Sequence, residues 1–108
     1  MSLLIKTAAA MAAVPNRETF AQGVKAVASA GTAEQLPDQA VPDGFSITVR
    51  GHPDNSGYVF IGSTKEAAEA HTTPVGPDDV YSLRLKNVNG IWVDAQYSGE
   101  KLIWVVEE

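Results

Sequence analysis

From Leu36 onward, turn-forming residues cut the chain at short intervals, and this punctuation restricts the fold more than any other feature of the sequence. Leu36-Pro37-Asp38, Val41-Pro42-Asp43-Gly44, Pro53-Asp54-Asn55-Ser56-Gly57, Pro74-Val75-Gly76-Pro77-Asp78-Asp79, Asn89-Gly90 and Ser98-Gly99 stand between runs of strand length. Each supplies a fixed φ or tolerates a positive one where a chain reverses. Within the runs, Phe45, Ile47 and Val49 alternate with Ser46, Thr48 and Arg50. Tyr81, Leu83 and Leu85 alternate with Ser82, Arg84 and Lys86, and Ile91, Val93, Ala95 and Tyr97 with Trp92, Asp94 and Gln96. A period of two marks strands with one buried face. Tyr58 to Ile61 and Leu102 to Val106 are apolar on both faces and read as central strands, with Trp104 in the core. Val24 to Leu36 adds one or two weaker strands around Gly31. The pattern predicts a mostly β chain, an antiparallel β-sandwich or jelly-roll-like domain.

Two local expectations follow from the turns. Asn89-Gly90 suits a type I′ hairpin, which needs positive φ at both central residues. It would join the Tyr81–Lys86 strand to the Ile91–Tyr97 strand, and Ser98-Gly99 would carry the chain into the last strand of a three-strand meander. One short helix interrupts the β pattern. Ser63-Thr64-Lys65-Glu66 has the form of a capping box, Ala67 to Ala70 continues it, and Thr72-Thr73-Pro74 stops it.

The first residues have another texture. Alanine crowds the first thirty positions, and Leu3, Leu4 and Ile5 form an apolar patch. A segment this short holds no helix unaided, so it must pack on its own domain or on a neighbour. We therefore divide the chain into an extended N-terminal arm, residues 1–22, and a β-sandwich domain, residues 23–108. Leu3, Leu4, Ile5 and Met11 are the arm's candidate contacts. The apolar run Ala8 to Val14 is far shorter than the roughly 20 residues that span a bilayer. Lys6 inside the apolar stretch and Pro15-Asn16-Arg17-Glu18 after it argue against a secretory signal.

Composition narrows the chemistry. At 108 residues the chain suffices for one domain. It has no cysteine, which removes disulfides, thiolate metal sites and thiol nucleophiles. The net charge of −5 falls entirely after residue 40, where ten acidic side chains face five basic ones. An acidic β-region repels phosphate backbones, so nucleic acid is not an expected partner. His52 and His71 have no carboxylate or second histidine at ligand spacing, and both read as exposed structural residues. No Gly-x-Ser-x-Gly elbow, glycine-rich phosphate loop or EF-hand spacing occurs. The expectation is a protein that is not an enzyme and takes no cofactor or metal. Trp92 is the more informative residue. Alternation aims it away from the face of Ile91 and Val93, with Asp94 on the same outward side, so Trp92 and Asp94 are candidate interface residues.

The C-terminal two-thirds also carries a resemblance. Pro53-Asp54-Asn55-Ser56-Gly57-Tyr58-Val59-Phe60-Ile61-Gly62 resembles the Asn-Thr-Gly-x-Val-Tyr-Val-Gly element of many small tailed-bacteriophage structural proteins. Their Pro-Gly-x-Ser-Val-x-Leu element is approximated by Gly76-Pro77-Asp78-Asp79-Val80-Tyr81-Ser82-Leu83, although Gly76-Pro77 reverses the order. Asn87 to Ala95, a Ser-Gly-Glu turn and a final apolar strand complete the similarity, which covers roughly residues 33–107. Ser63 to His71 is longer than in the simplest of these proteins. The resemblance implies a virion protein of the head decoration, cement or head-fibre-base type. Its partners would be the major capsid protein and further copies of itself, as a homotrimer or other homo-oligomer. It would sit on the capsid surface after assembly in the host cytoplasm, without a membrane. Two other readings remain: a neck or tail component, and a carbohydrate-binding or adhesin-like sandwich using Trp92 and Tyr97 with Asp94 nearby.

Overall fold

The structure is a computed structural model and describes residues 21–108. Among the described residues, eight strands form two four-stranded antiparallel sheets. They are β1 (Ala21–Ala26), β2 (Glu34–Gln35), β3 (Ser46–Gly51), β4 (Val59–Gly62), β5 (Pro74–Val75), β6 (Val80–Leu83), β7 (Trp92–Ala95) and β8 (Lys101–Glu107). Sheet A runs β1-β8-β3-β6 and sheet B runs β2-β7-β4-β5. The expected sandwich is present. β1 begins at Ala21, inside the segment assigned to the arm, and pairs from its first residue with Val106.

Alternation does what it should on the inner faces. Ile47 and Val49 of β3, Leu102, Trp104 and Val106 of β8, Val59 and Ile61 of β4, and Val93 and Ala95 of β7 meet in one apolar core. Both doubly apolar runs became interior strands: β8 lies between β1 and β3, and β4 between β7 and β5. The weak region around Gly31 supplies β1 and β2, with Gly31 at φ 91° between them.

The expected meander is absent. β6 belongs to sheet A, β7 to sheet B and β8 again to sheet A, so both connections cross the sandwich. Val88 explains the first. It is fully buried, and to reach the core the chain coils into a short 3-10 turn, Val88–Gly90, in place of a hairpin. The Asn87 side chain holds that turn by accepting from the Asn89 N–H at 2.9 Å. At Ser98-Gly99 the chain does reverse, with Gly99 at φ 89°, but it passes to the other sheet.

The helix α1 (Lys65–Glu69) forms where expected, with a shifted cap. Thr64, not Ser63, is the N-cap, and its Oγ1 accepts from the Ala67 N–H at 3.0 Å. From Thr64 the third helical position is Ala67, so Glu66 stands one residue too early to complete a capping box. The Pro53 to Gly57 turn is pinned to the start of β8. Buried Glu100 accepts from the N–H groups of Ser56 and Gly57, and Asn55 bonds Lys101 reciprocally at 2.8 and 2.9 Å.

Candidate interaction surface

Leu3, Leu4, Ile5 and Met11 lie outside the described residues. Trp92 is half-buried on the outer face of sheet B. Asp94 shares that face by alternation but is 0% exposed, which corrects the expectation that it faces outward. The reason is α1, which packs across β4 and β7 and roofs the position.

Beneath that roof Asp94 has acquired partners that the sequence spacing hid. Its Oδ1 accepts from the Gly31 N–H at 2.8 Å, and its Oδ2 lies 2.6 Å from His71 Nε2. The His71 ring stacks on Phe60, with centroids 3.9 Å apart. His71 therefore does more than complement a helix terminus. It follows the C-cap Ala70 with φ 60°, a left-handed position that glycine usually fills. Burial alone pushes the Asp94 carboxyl up, and is the largest single influence on it. The His71 ring, the N–H groups of Ala95 and Gly31, and the His71 charge together outweigh burial and hold it below the usual carboxylate range.

This pair ties three elements together. Its hydrogen bonds join β7, the loop at Gly31 and the end of α1, and no hydroxyl bonds the His71 ring among the described residues. Nor do three or more His, Asp or Glu side chains gather as a metal site among the described residues. A second polar tie works between the sheets. Lys25 of β1 meets Glu34 of β2 at 2.8 Å, and this bond, then the Ala28 N–H, lowers the Glu34 carboxyl against the opposing effect of burial.

The surface departs from an ordinary one in its exposed apolar side chains. Val24 is 56% exposed, Val80 55%, Tyr97 51% and Tyr58 49%, with Leu85 and Tyr81 also open. Strand register sorts them. Val24 pairs with Ile103, Ile103 with Arg50, and Arg50 with Val80, so one row on the outer face of sheet A carries three aliphatic side chains around one arginine. Tyr58 and Tyr97 flank Gln96, whose Oε1 accepts from the Tyr58 N–H at 3.1 Å and whose Nε2 donates to the Tyr97 hydroxyl at 3.3 Å.

Sequence reasoning missed Val24, Val80 and Tyr58 as surface residues. Val24 and Val80 lie in strands whose outer partners are named only by register. Tyr58 stood in a run that reads as buried on both faces. No family model, curated protein or solved structure matches this chain.

Proposed function

We propose that the protein is a structural component of a virus particle, of the capsid-decorating or cement kind, which binds and stabilises the shell of major capsid protein. The observation that supports it most is the outer face of sheet A, where Val24, Ile103 and Val80 lie in one row and two of them are more than half exposed. Val24 beside Ile103, with Val80 on the far side of Arg50, gives that face exposed apolar side chains of the kind that mark contact sites in soluble proteins. The resemblance of residues 33–107 to small tailed-phage structural proteins supplies the kind of partner. The arm would add to the contact, since burying Leu3, Leu4 and Ile5 contributes about 1.5–3 kcal/mol each before ordering costs.

Repetition makes such a design effective, because modest contacts on many copies sum over a shell. The test is direct. Purified protein mixed with undecorated capsid shells should co-sediment at a fixed stoichiometry, and mass spectrometry of purified virions should detect the chain. Absence from virions together with no binding to shells overturns the reading.

The arrangement of Tyr58, Gln96 and Tyr97 favours one second reading, a carbohydrate-binding sandwich. Two exposed rings beside a side-chain amide are suited to stacking on and hydrogen bonding to a sugar. Glycan-array binding lost in Tyr58→Ala and Tyr97→Ala would favour it over shell binding.

A further inference from the structure

An apolar groove of about 260 Å³ opens at the β6 edge of the sandwich. Ile61, Thr73, Tyr81, Leu83, Leu85 and Ile91 line it, and no lining side chain carries a charge. β5 pairs with β4 only at Val59 and Phe60, and just before it the Thr73 carbonyl accepts from the Ile61 N–H at 3.1 Å, so Ile61 and Thr73 form the β4 side of the groove and Tyr81 and Leu83 the β6 side. The volume exceeds the roughly 150 Å³ apolar cavity that takes up benzene, so branched aliphatic side chains fit.

Register places this groove opposite the origin of the arm. Ala21 pairs with Val106, Val106 with Ile47, and Ile47 with Leu83, one inward-facing row across sheet A. Ala21, where the N-terminal segment joins, stands at one edge of the row. Leu83, in the groove wall, stands at the other, about 14 Å away across three strand spacings. Two copies set side by side with strands aligned therefore bring the arm's origin on one next to the groove of the other, at the same height. The fifteen residues from Lys6 to Phe20 reach at most about 50 Å when extended, ample for that step. Charge agrees. Residues 1–20 carry two basic side chains against one acidic, while residues 21–108 carry six basic against twelve acidic.

We infer that Leu3, Leu4 and Ile5 of one copy occupy the groove between β6 and β4 of a second copy of this chain. Because Ala21, where the arm joins, and the groove lie on opposite edges, the contact is head-to-tail. Such contacts form closed rings when the rotation between copies allows. The inference rests on reading the N-terminal segment as an arm, and holds whatever shell the assembly meets.

The test uses soluble protein with no shell present, so its result is separate from that of shell binding. Multi-angle light scattering after size exclusion should give an oligomer for the full chain. Deleting residues 1–14 removes the arm's tip. Gly90→Phe fills the groove at an exposed position where a Cβ meets only Leu85, at 3.4 Å. Each variant should be monomeric with unchanged circular dichroism. Mixed together, they should form a complex of two chains and no larger species, since the pair retains one arm and one groove. If Gly90→Phe does not fold, Leu85→Glu at the groove rim takes its place in the mixture. A monomeric full chain, an oligomer that survives the deletion, or a mixture that stays monomeric would each overturn the inference.

Discussion

Sheet B carries α1 across its outer face and buries a carboxylate beneath it, whereas sheet A has longer strands and leaves Val24, Val80 and Ile103 facing outward. The difference follows from strand length. Two of the strands in sheet B are only two residues long, so the sheet gains little from its own pairing. It recruits a helix, a histidine and a loop to complete its structure. In sheet A, β8 pairs over six residues with each of β1 and β3, and among the described residues no helix packs on its outer face. Stability is thus invested in the outer side of one sheet, while among the described residues the outer side of the other leaves Val24 and Val80 exposed.

The sharpest way to break this comparison is to lift the roof. A Cβ at Gly62 would lie 2.3 Å from the Ala68 backbone nitrogen, so α1 must move away from β4 in Gly62→Ala. The expected loss is about 3 kcal/mol of unfolding free energy, read from urea midpoints. Val24→Ala on the open face should lose less than about 0.5 kcal/mol. Equal losses would erase the distinction between the sheets.

Next in size is the latch beneath the helix. His71→Ala leaves a fully buried carboxylate with one partner fewer and should cost about 2 kcal/mol. His71→Gly loses the same bond but relieves a left-handed backbone worth about 1 kcal/mol, and should be the more stable of the two. A reversed order in thermal melts would show that the left-handed backbone at position 71 carries no strain for glycine to relieve.

What could be read in advance divides along the same line. The inner-face alternation of β3 and β7 was legible, because burial of one strand face imposes period two on Ile47, Val49, Val93 and Ala95. The connections were not. Asn89-Gly90 has the local chemistry of a hairpin, but burial of Val88 outweighed it, and long-range packing leaves no mark on a dipeptide. Asp94 and His71 are 23 residues apart, so their pairing depends on where α1 comes to rest. The exposed row on sheet A needed register, which a single strand does not encode.

A smaller effect comes from pH. The Asp94 and Glu34 carboxyls are both held below their ordinary values in the folded chain. Each contributes stability that is present above the unfolded value, near pH 4, and is lost as pH falls through the lower folded value. The urea midpoint should therefore fall progressively as pH drops below about 4. Asp94→Asn should flatten that fall by removing its share. An unchanged acid slope in Asp94→Asn would mean that the carboxylate beneath the roof does not carry the dependence.

The smallest effect on folding should coincide with the largest effect on contact. Val24→Lys and Val80→Lys change side chains that are more than half exposed, on the outer face of sheet A. Neither alters an inner-face neighbour, so each should shift unfolding free energy by less than about 0.5 kcal/mol. Val80→Lys sets a second positive charge beside Arg50 and Val24→Lys places one at the other end of the row, and a surface that docks by apolar burial then faces the cost of desolvating them. Co-sedimentation of the double variant with capsid shells should fall well below that of the parent protein at equal concentration. Full binding by the double variant, with its fold intact, would assign shell contact to another face and leave the bare side of sheet A without a role.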